Sequence, residues 1–321
     1  MCGLFGFSNY SGKKVVNLAT LTKALSEQAA ERGIDATGIA FNNSNRLIIV
    51  KEPKSAYKMD FKHPDDIVAL IGHTRHATQG KESKNYNNHP FYGRGQGCPF
   101  ALAHNGVIIN DDTLRRDLQL QQTKIETDSY IAVQLIEQKR KLDFESLKYM
   151  AESVDGSFSF SVLDAKNNLY LVKGDSPLSI LHFTKLKMYV YASTDEILYR
   201  ALIDSPLFED LKNGDYERVN IDEGEILKIR PDGMLERDVF VFDCYRGRNW
   251  WNYGIPFSTP YGVNINTSAN EDAKKSYVES LKSMATYWGY SPSIIDDLLS
   301  EGFSLDEIEE YLYEYEAYAI Q

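Results

Sequence analysis

A chain of 321 residues can bury a full core, and its length suggests one large domain with an appendage, or two domains. With 43% hydrophobic and 25% charged residues it reads as a soluble globular protein; no stretch nears the roughly 20 apolar residues of a membrane span, and no basic segment followed by an apolar run opens it, so a cytoplasmic protein without a membrane partner is expected. The net charge of −11 is concentrated at one end, because nine acids and no Lys or Arg follow Lys282, which leaves −2 for residues 1–282 and no charge signature for nucleic acid. Cys2, Cys98 and Cys244 are widely spaced, so neither a disulfide framework nor a metal site is indicated.

In chain order, Gly3 to Ser8 reads as a short strand, and Leu18, Leu21, Leu25 and Ala29 recur at helical spacing until Gly33 ends the run. Apolar runs predict strands at residues 38–41, 46–51, 67–75 and 100–108, followed by helices over 112–121 and 128–141. Residues 157–162, 169–173, 178–183 and 188–192 form a meander rich in β-branched and aromatic residues. Residues 217–229, with a turn at Glu223-Gly224 and a stop at Pro231-Asp232-Gly233, suggest a closing hairpin. Blocks of strands around central helices predict an α+β fold with antiparallel sheets covered by helices. From 244 to 270 the texture changes to an irregular, aromatic linker or arm containing Trp250, Trp251 and Tyr253. Residues 271–321 then read as an acidic helical appendage, with helices over 272–288, 292–299 and 305–318.

Four features carry chemistry. Cys2 follows Met1, and removal of Met1 leaves a thiol and a free α-amine on one residue; the amine, with a pKa of roughly 8, can take the thiol's proton and return it to a leaving group. The plainer alternative is an ordinary Cys before an edge strand. Arg75 ends an apolar strand in Gly72-His73-Thr74-Arg75-His76-Ala77-Thr78-Gln79-Gly80, where a guanidinium fork can grip a carboxylate, although a surface hairpin fits too. Asn105-Gly106 offers a side-chain amide beside an accessible backbone N–H, as an oxyanion hole requires, or simply a turn. Asp128 opens a helix, either as its cap or as an acceptor for a substrate ammonium.

Together these segments resemble the glutaminase domain of class II glutamine amidotransferases, in the N-terminal nucleophile hydrolase superfamily, from Cys2 to about Asp243. The likeness also rests on Arg32-Gly33-Ile34-Asp35-Ala36-Thr37-Gly38, Asn88-His89-Pro90-Phe91, His104-Asn105-Gly106, Thr127-Asp128, Asp155-Gly156-Ser157-Phe158 and Ala192-Ser193-Thr194-Asp195. It implies a four-layer αββα sandwich of two antiparallel sheets over residues 1–243. It assigns Cys2 as nucleophile, its α-amine as proton shuttle, and Asn105 and Gly106 as oxyanion donors. Arg75 then meets the α-carboxylate of L-glutamine and Asp128 its α-ammonium, while Thr78 lines the site and Arg32 braces the N-terminal strand. No cofactor or metal is implied. Two positions depart from the family: Gln79 stands where His is common, and His76 where an aromatic residue is.

The expected function is a glutamine-hydrolysing unit giving glutamate and ammonia, with an acceptor handled by a separate protein, since no sugar-isomerase or phosphoribosyl-binding motif follows residue 243. The arm and acidic helices are the expected docking elements, for such a protein or for a homo-oligomer. The alternatives are an amidase acting on a γ-glutamyl amide or related small amide, and a non-catalytic binding module on the same fold.

Overall fold

The computed structural model describes residues 2–12, 17–44, 46–77, 79–95, 97–242 and 291–300, with residues 278, 282, 285 and 308. Contacts divide the chain into two compact units, residues 1–247 and 248–321.

In the first unit seven strands form one antiparallel sheet, in the order β11 (Glu217–Arg218), β9 (Ser179–Phe183), β10 (Met188–Ala192), β1 (Gly3–Asn9), β4 (Ala69–Arg75), β2 (Ala36–Asn43) and β3 (Arg46–Glu52). Six form the other, in the order β13 (Leu235–Val239), β12 (Glu225–Ile229), β8 (Leu169–Lys173), β7 (Gly156–Asp164), β6 (Cys98–Ile108) and β5 (Phe91–Gly95).

Strand alternation sorts the side chains into layers. On β1, Phe5 and Phe7 join the cluster under α1 (Leu18–Ala29) and α5 (Asp195–Ile203), whereas Leu4 joins the cluster between the sheets. Leu18, Leu21 and Leu25 are fully buried on one face of α1, whose first turn is capped by Asn17 accepting from the Thr20 N–H at 3.1 Å. Beyond the second sheet, α3 (Tyr130–Gln138) and α4 (Phe144–Ser153) bury Ile131, Leu135, Leu147 and Met150 against Phe100, Phe160 and Val172. The first unit is therefore a helix–sheet–sheet–helix sandwich of the α+β class. The shorter helices α2 (Asp111–Asp117) and α6 (Phe208–Lys212) complete it.

Two local expectations change. The chain turns at Glu223-Gly224 not within a hairpin but from one sheet to the other: β11 pairs with β9, and the hairpin joins β12 to β13 across Pro231-Asp232-Gly233. Helix α4 was not expected, although Leu147, Met150 and Ala151 recur on its buried face. Its start is fixed by a capping box between Asp143 and Ser146.

In the second unit, helix α7 (Ser293–Ser300) coincides with the expected middle helix. Ile295 packs with Ala285 and Ile308, with Leu298, Leu299 and Val278 at the margin, and Lys282 pairs with Asp296 at 2.8 Å. The aromatic arm lies outside the described residues, as do most positions of the other two expected helices. No helix among the described residues is long and apolar enough to cross a membrane.

Because Leu25 is fully buried between α1 and the first sheet, Leu25→Ala should destabilise the protein by about 2–5 kcal/mol, read as a lower urea midpoint at unchanged m.

Candidate active site

The same alternation builds the site. On β4, Ala69 and Ile71 face the inter-sheet layer, so His73 and Arg75, at the same phase, continue that face toward the strand's end. On β6, Ala101 and Ala103 face the layer and Asn105 follows them. The layer thus passes from apolar to polar at one end, where β1 begins.

Cys2 precedes β1, and its Sγ–H donates to the His76 carbonyl at 3.5 Å. Arg32 donates from Nε to the Cys2 carbonyl at 2.8 Å. Ser193 accepts the Leu4 N–H at 2.7 Å, which pins the first turn of chain after the thiol. Gly3 is required here: a Cβ would lie 2.6 Å from Thr74 Oγ1 and 2.8 Å from the Ala29 carbonyl. Burial pushes the Cys2 thiol above its ordinary pKa, Arg75 opposes that shift and Asp128 adds to it, so both charges act on the thiol. A thiol held protonated in this way needs a base in order to attack.

Arg75 is only 2% exposed. It donates to Asn88 Oδ1 at 2.7 Å and to the carbonyls of Gln79 and Gly80 at 2.6 and 2.8 Å. These bonds use three of its five N–H groups, and all three acceptors are neutral. The positive charge is therefore solvated by dipoles yet not cancelled by them. Asp128 is buried as well; its Oδ2 accepts the Ile108 N–H at 2.7 Å and its Oδ1 the Ser129 hydroxyl at 3.3 Å, so its carboxylate ties β6 to the turn before α3.

Asn105 lies inside β6, paired with Ser159, and not in a turn. Its side chain is 1% exposed, and Nδ2 makes no hydrogen bond within the protein. Gly106 beside it has φ +137°, and a Cβ would come within 1.9 Å of the Ser157 carbonyl, so only glycine fits. The arrangement brings Cys2, Arg32, Arg75, Asn105, Gly106 and Asp128 to one end of the sandwich. Thr78 lies outside the described residues.

Other residues at this end were given no role from the sequence. Lys51 donates to the Asn88 and Pro90 carbonyls, supporting the loop whose Asn88 holds Arg75. Burial, with Arg75 nearby, lowers its ammonium to about 8. At the end of the apolar run 46–51 it reads as a strand terminus facing water, so nothing in the sequence marked it. His104 meets Ser129 Oγ at 2.8 Å and stacks on Phe160, while His73 packs on His89 with ring centroids 4.1 Å apart. The two departures from the family pattern act through backbone. Gln79 and His76 both contribute carbonyls, and the His76 ring lies 3.7 Å from Asp35. Among the described residues no group of three or more His, Cys, Asp or Glu is disposed to hold a metal ion.

Comparison with known proteins agrees with the fold. The family described as glutamine amidotransferase domain matches residues 73–200. A glutamine–fructose-6-phosphate aminotransferase (isomerizing) of Bacillus thuringiensis is 33% identical over 188 residues, covering 56% of this chain and 30% of that protein. One of Staphylococcus aureus is 30% identical over 256 residues, covering 75% and 39%. Among solved structures, glutamine phosphoribosylpyrophosphate amidotransferase from B. subtilis, complexed with ADP and GMP, superposes with a TM-score of 0.59 at 22% identity, over 75% of this chain and 50% of that one.

The sandwich is of the N-terminal nucleophile hydrolase type. The chain carries a glutamine amidotransferase domain of class II, the class to which these relatives, all enzymes, belong. It spans 30–39% of the length of the curated relatives it matches.

The buried histidines give a stability prediction. Burial, then neighbouring groups including Arg75 and Lys51, holds His73 down to about 3 and His89 well below the ordinary imidazole value. Above about pH 6.5 both folded and unfolded chains carry them neutral. Below it the unfolded chain takes up protons that the native state refuses, so stability falls as pH drops toward the folded values, by about 1.4 kcal/mol per pH unit per histidine. His89→Phe should make the plot of unfolding free energy against pH shallower by about that amount between about pH 6 and 4. Urea unfolding across that range measures it; an unchanged slope would mean that His89 is protonated in the native protein.

Proposed function

We propose that the protein hydrolyses L-glutamine through a Cys2 thioester and passes the ammonia to an acceptor bound by a separate protein. The observation that carries this reading is the buried Asn105 amide nitrogen without a partner, at the same end of the sandwich as a thiol on which one cation and one anion act. A buried donor left unpaired costs about 1–3 kcal/mol, and an oxyanion formed during the reaction offsets that cost.

In the proposed sequence, Arg75 meets the α-carboxylate and Asp128 the α-ammonium, and the distal amide reaches Cys2. With Met1 removed, the α-amine of Cys2 takes the thiol proton as Sγ bonds to the amide carbon, and the carbonyl oxygen becomes an oxyanion held by the Asn105 Nδ2–H and the Gly106 N–H. As the carbon–nitrogen bond breaks, the amine returns the proton to the leaving nitrogen, giving ammonia and a γ-glutamyl thioester. Water then attacks the thioester and releases glutamate. Arg32 holds the Cys2 carbonyl throughout. The names of the curated relatives, which join glutamine to an aminotransferase reaction, support glutamine as donor.

Activity should require removal of Met1, because the amine acts only when it belongs to Cys2. Intact-mass analysis beside a glutamate-release assay checks this, and full turnover by protein retaining Met1 would falsify the shuttle. Asn105→Ala should lower kcat by about 10² to 10³, whereas Arg75→Ala and Asp128→Ala should act mainly on KM. Asn105→Ala at wild-type kcat would discard the oxyanion assignment. A γ-glutamyl amide cleaved in preference to glutamine would instead select the amidase reading.

The acceptor half of the proposal is tested by ending the chain after residue 247, at the boundary between the two compact units. Basal glutamine hydrolysis should persist while co-purification with an acceptor enzyme, or self-association, is lost. A folded, truncated protein that no longer forms the thioester would assign residues 248–321 to the glutamine site instead.

A further inference from the structure

Cys2 and Arg75 belong to the seven-stranded sheet, and Asn105 and Gly106 to the six-stranded one. Most of what lies between the sheets is non-directional: Leu4, Ala40, Ala69 and Ile71 against Ala101, Ala103, Leu163 and Leu171. Small alanines on facing strands permit sliding by fractions of an ångström at little cost, since dispersion contacts are individually weak. Among the described residues, side-chain hydrogen bonds join the sheets or their flanking turns from Lys51 to the Asn88 and Pro90 carbonyls, from Tyr189 to the Gly233 carbonyl, and from Asn42 and His73, the last two at opposite ends of the layer. Far from the site, Asn42 Nδ2 at the end of β2 donates to the Asp164 carbonyl at the end of β7, at 2.8 Å. At the site, His73 Nε2 lies 2.9 Å from the carbonyl of His104.

The second bond has a defined sense. A carbonyl only accepts, so Nε2 carries the proton and Nδ1 is the bare nitrogen, which is buried without a hydrogen bond to the protein. His73 pairs with Leu4 in the register between β4 and β1, two residues after the thiol, and His104 immediately precedes Asn105. One imidazole therefore links the strand that carries the nucleophile's neighbour to the peptide unit before the oxyanion donor. The ring is held from the side by His89, 4.1 Å away.

We infer that His73 is a positioning residue that sets the separation of Cys2 from the Asn105–Gly106 oxyanion donors by tying the two sheets together at the site end of the sandwich. This rests on the thioester reading above. It makes the neutral Nε2–H tautomer the working form, with no proton transfer to substrate. It also separates two functions of the inter-sheet layer: apolar packing stabilises it, and the His73 bond fixes its alignment where a small error costs rate. A misplacement of about 1 Å costs on the order of 10²-fold in turnover.

The test uses the full chain with Met1 removed, glutamine as substrate, and the variants His73→Leu, His73→Gln, His73→Asn and Asn42→Ala. His73→Leu should lower kcat about 10- to 100-fold with KM within about twofold. Gln places an amide N–H near the position of imidazole Nε2 and should restore most of kcat; Asn is too short and should not. Asn42→Ala removes the distant tie and should lower the urea midpoint without lowering kcat. His73→Leu added to Asn105→Ala should cost little more than Asn105→Ala alone, because both act on the same oxyanion contact. If His73→Leu does not fold, the contrast between Gln and Asn decides. Wild-type kcat in His73→Leu or His73→Asn, a loss carried by KM, a matching loss in Asn42→Ala, or multiplying losses in the double variant would each overturn the positioning role. Wild-type protein releasing no glutamate would refute the reaction itself, a result separable from all of these.

Discussion

Cys2 and the Asn105–Gly106 pair, the proposed nucleophile and oxyanion donors, are carried by different sheets, so the packing of one sheet on the other is part of the proposed site's geometry. In most sandwiches a shift of a few tenths of an ångström between sheets is a small matter of stability. Here the alternation that places Ala69 and Ile71 in the core also places His73 and Arg75 at its edge, and that which buries Ala101 and Ala103 leads on to Asn105. The site is thus the polar end of the core itself rather than a set of loops laid over it. That explains why its side chains are nearly as buried as the leucines beside them.

Burial at such a place is costly for charges, and the surroundings show how the cost is met. Arg75 is solvated by one amide and two carbonyls, the Asn88 that serves it is held by Glu82 and Asn85, and Lys51 supports the carbonyls of residues 88 and 90. None of these acceptors carries a charge. An arginine paired with a carboxylate would be neutralised in advance and would have less attraction left for an incoming anion. Asp128 follows the same logic with opposite sign, since a backbone N–H and a hydroxyl hold it without neutralising it. Both ions are therefore stabilised while their fields remain available.

The sequence exposed this site unevenly, for physical reasons. Arg75, Asn105 and Gly106 stand out as candidates because polar groups at the ends of apolar strands contradict simple burial, and Asp128 because it opens a helix. The helical faces of α1 and α3 and the strand meander follow from periodicity. The passage of residues 219–224 between sheets depends on tertiary pairing that no local pattern encodes, whereas the start of α4 is marked by the local Asp143/Ser146 capping box, which went unassigned. Lys51 and His73 had no assigned role because each acts through backbone carbonyls supplied by distant segments, and Asn88 because its partner is the side chain of Arg75 on strand β4. His73 and His104 are 31 positions apart, and spacing gives no hint that one ring meets the other's carbonyl.

The same reliance on backbone explains why two departures from the family pattern leave the local geometry intact. The Arg75 fork is met by the carbonyl of Gln79, and the thiol of Cys2 by the carbonyl of His76, so neither contact depends on the side chain at that position. Electrostatics has a matching division. Residues 1–247 carry only −3 of the chain's −11, so the unit that holds the site exerts little long-range pull. For a zwitterion that is no loss, because a uniform field attracts one end as it repels the other. In the proposed reading, recognition of such a molecule rests on a local gradient, which Arg75 and Asp128, both acting on one thiol, would supply.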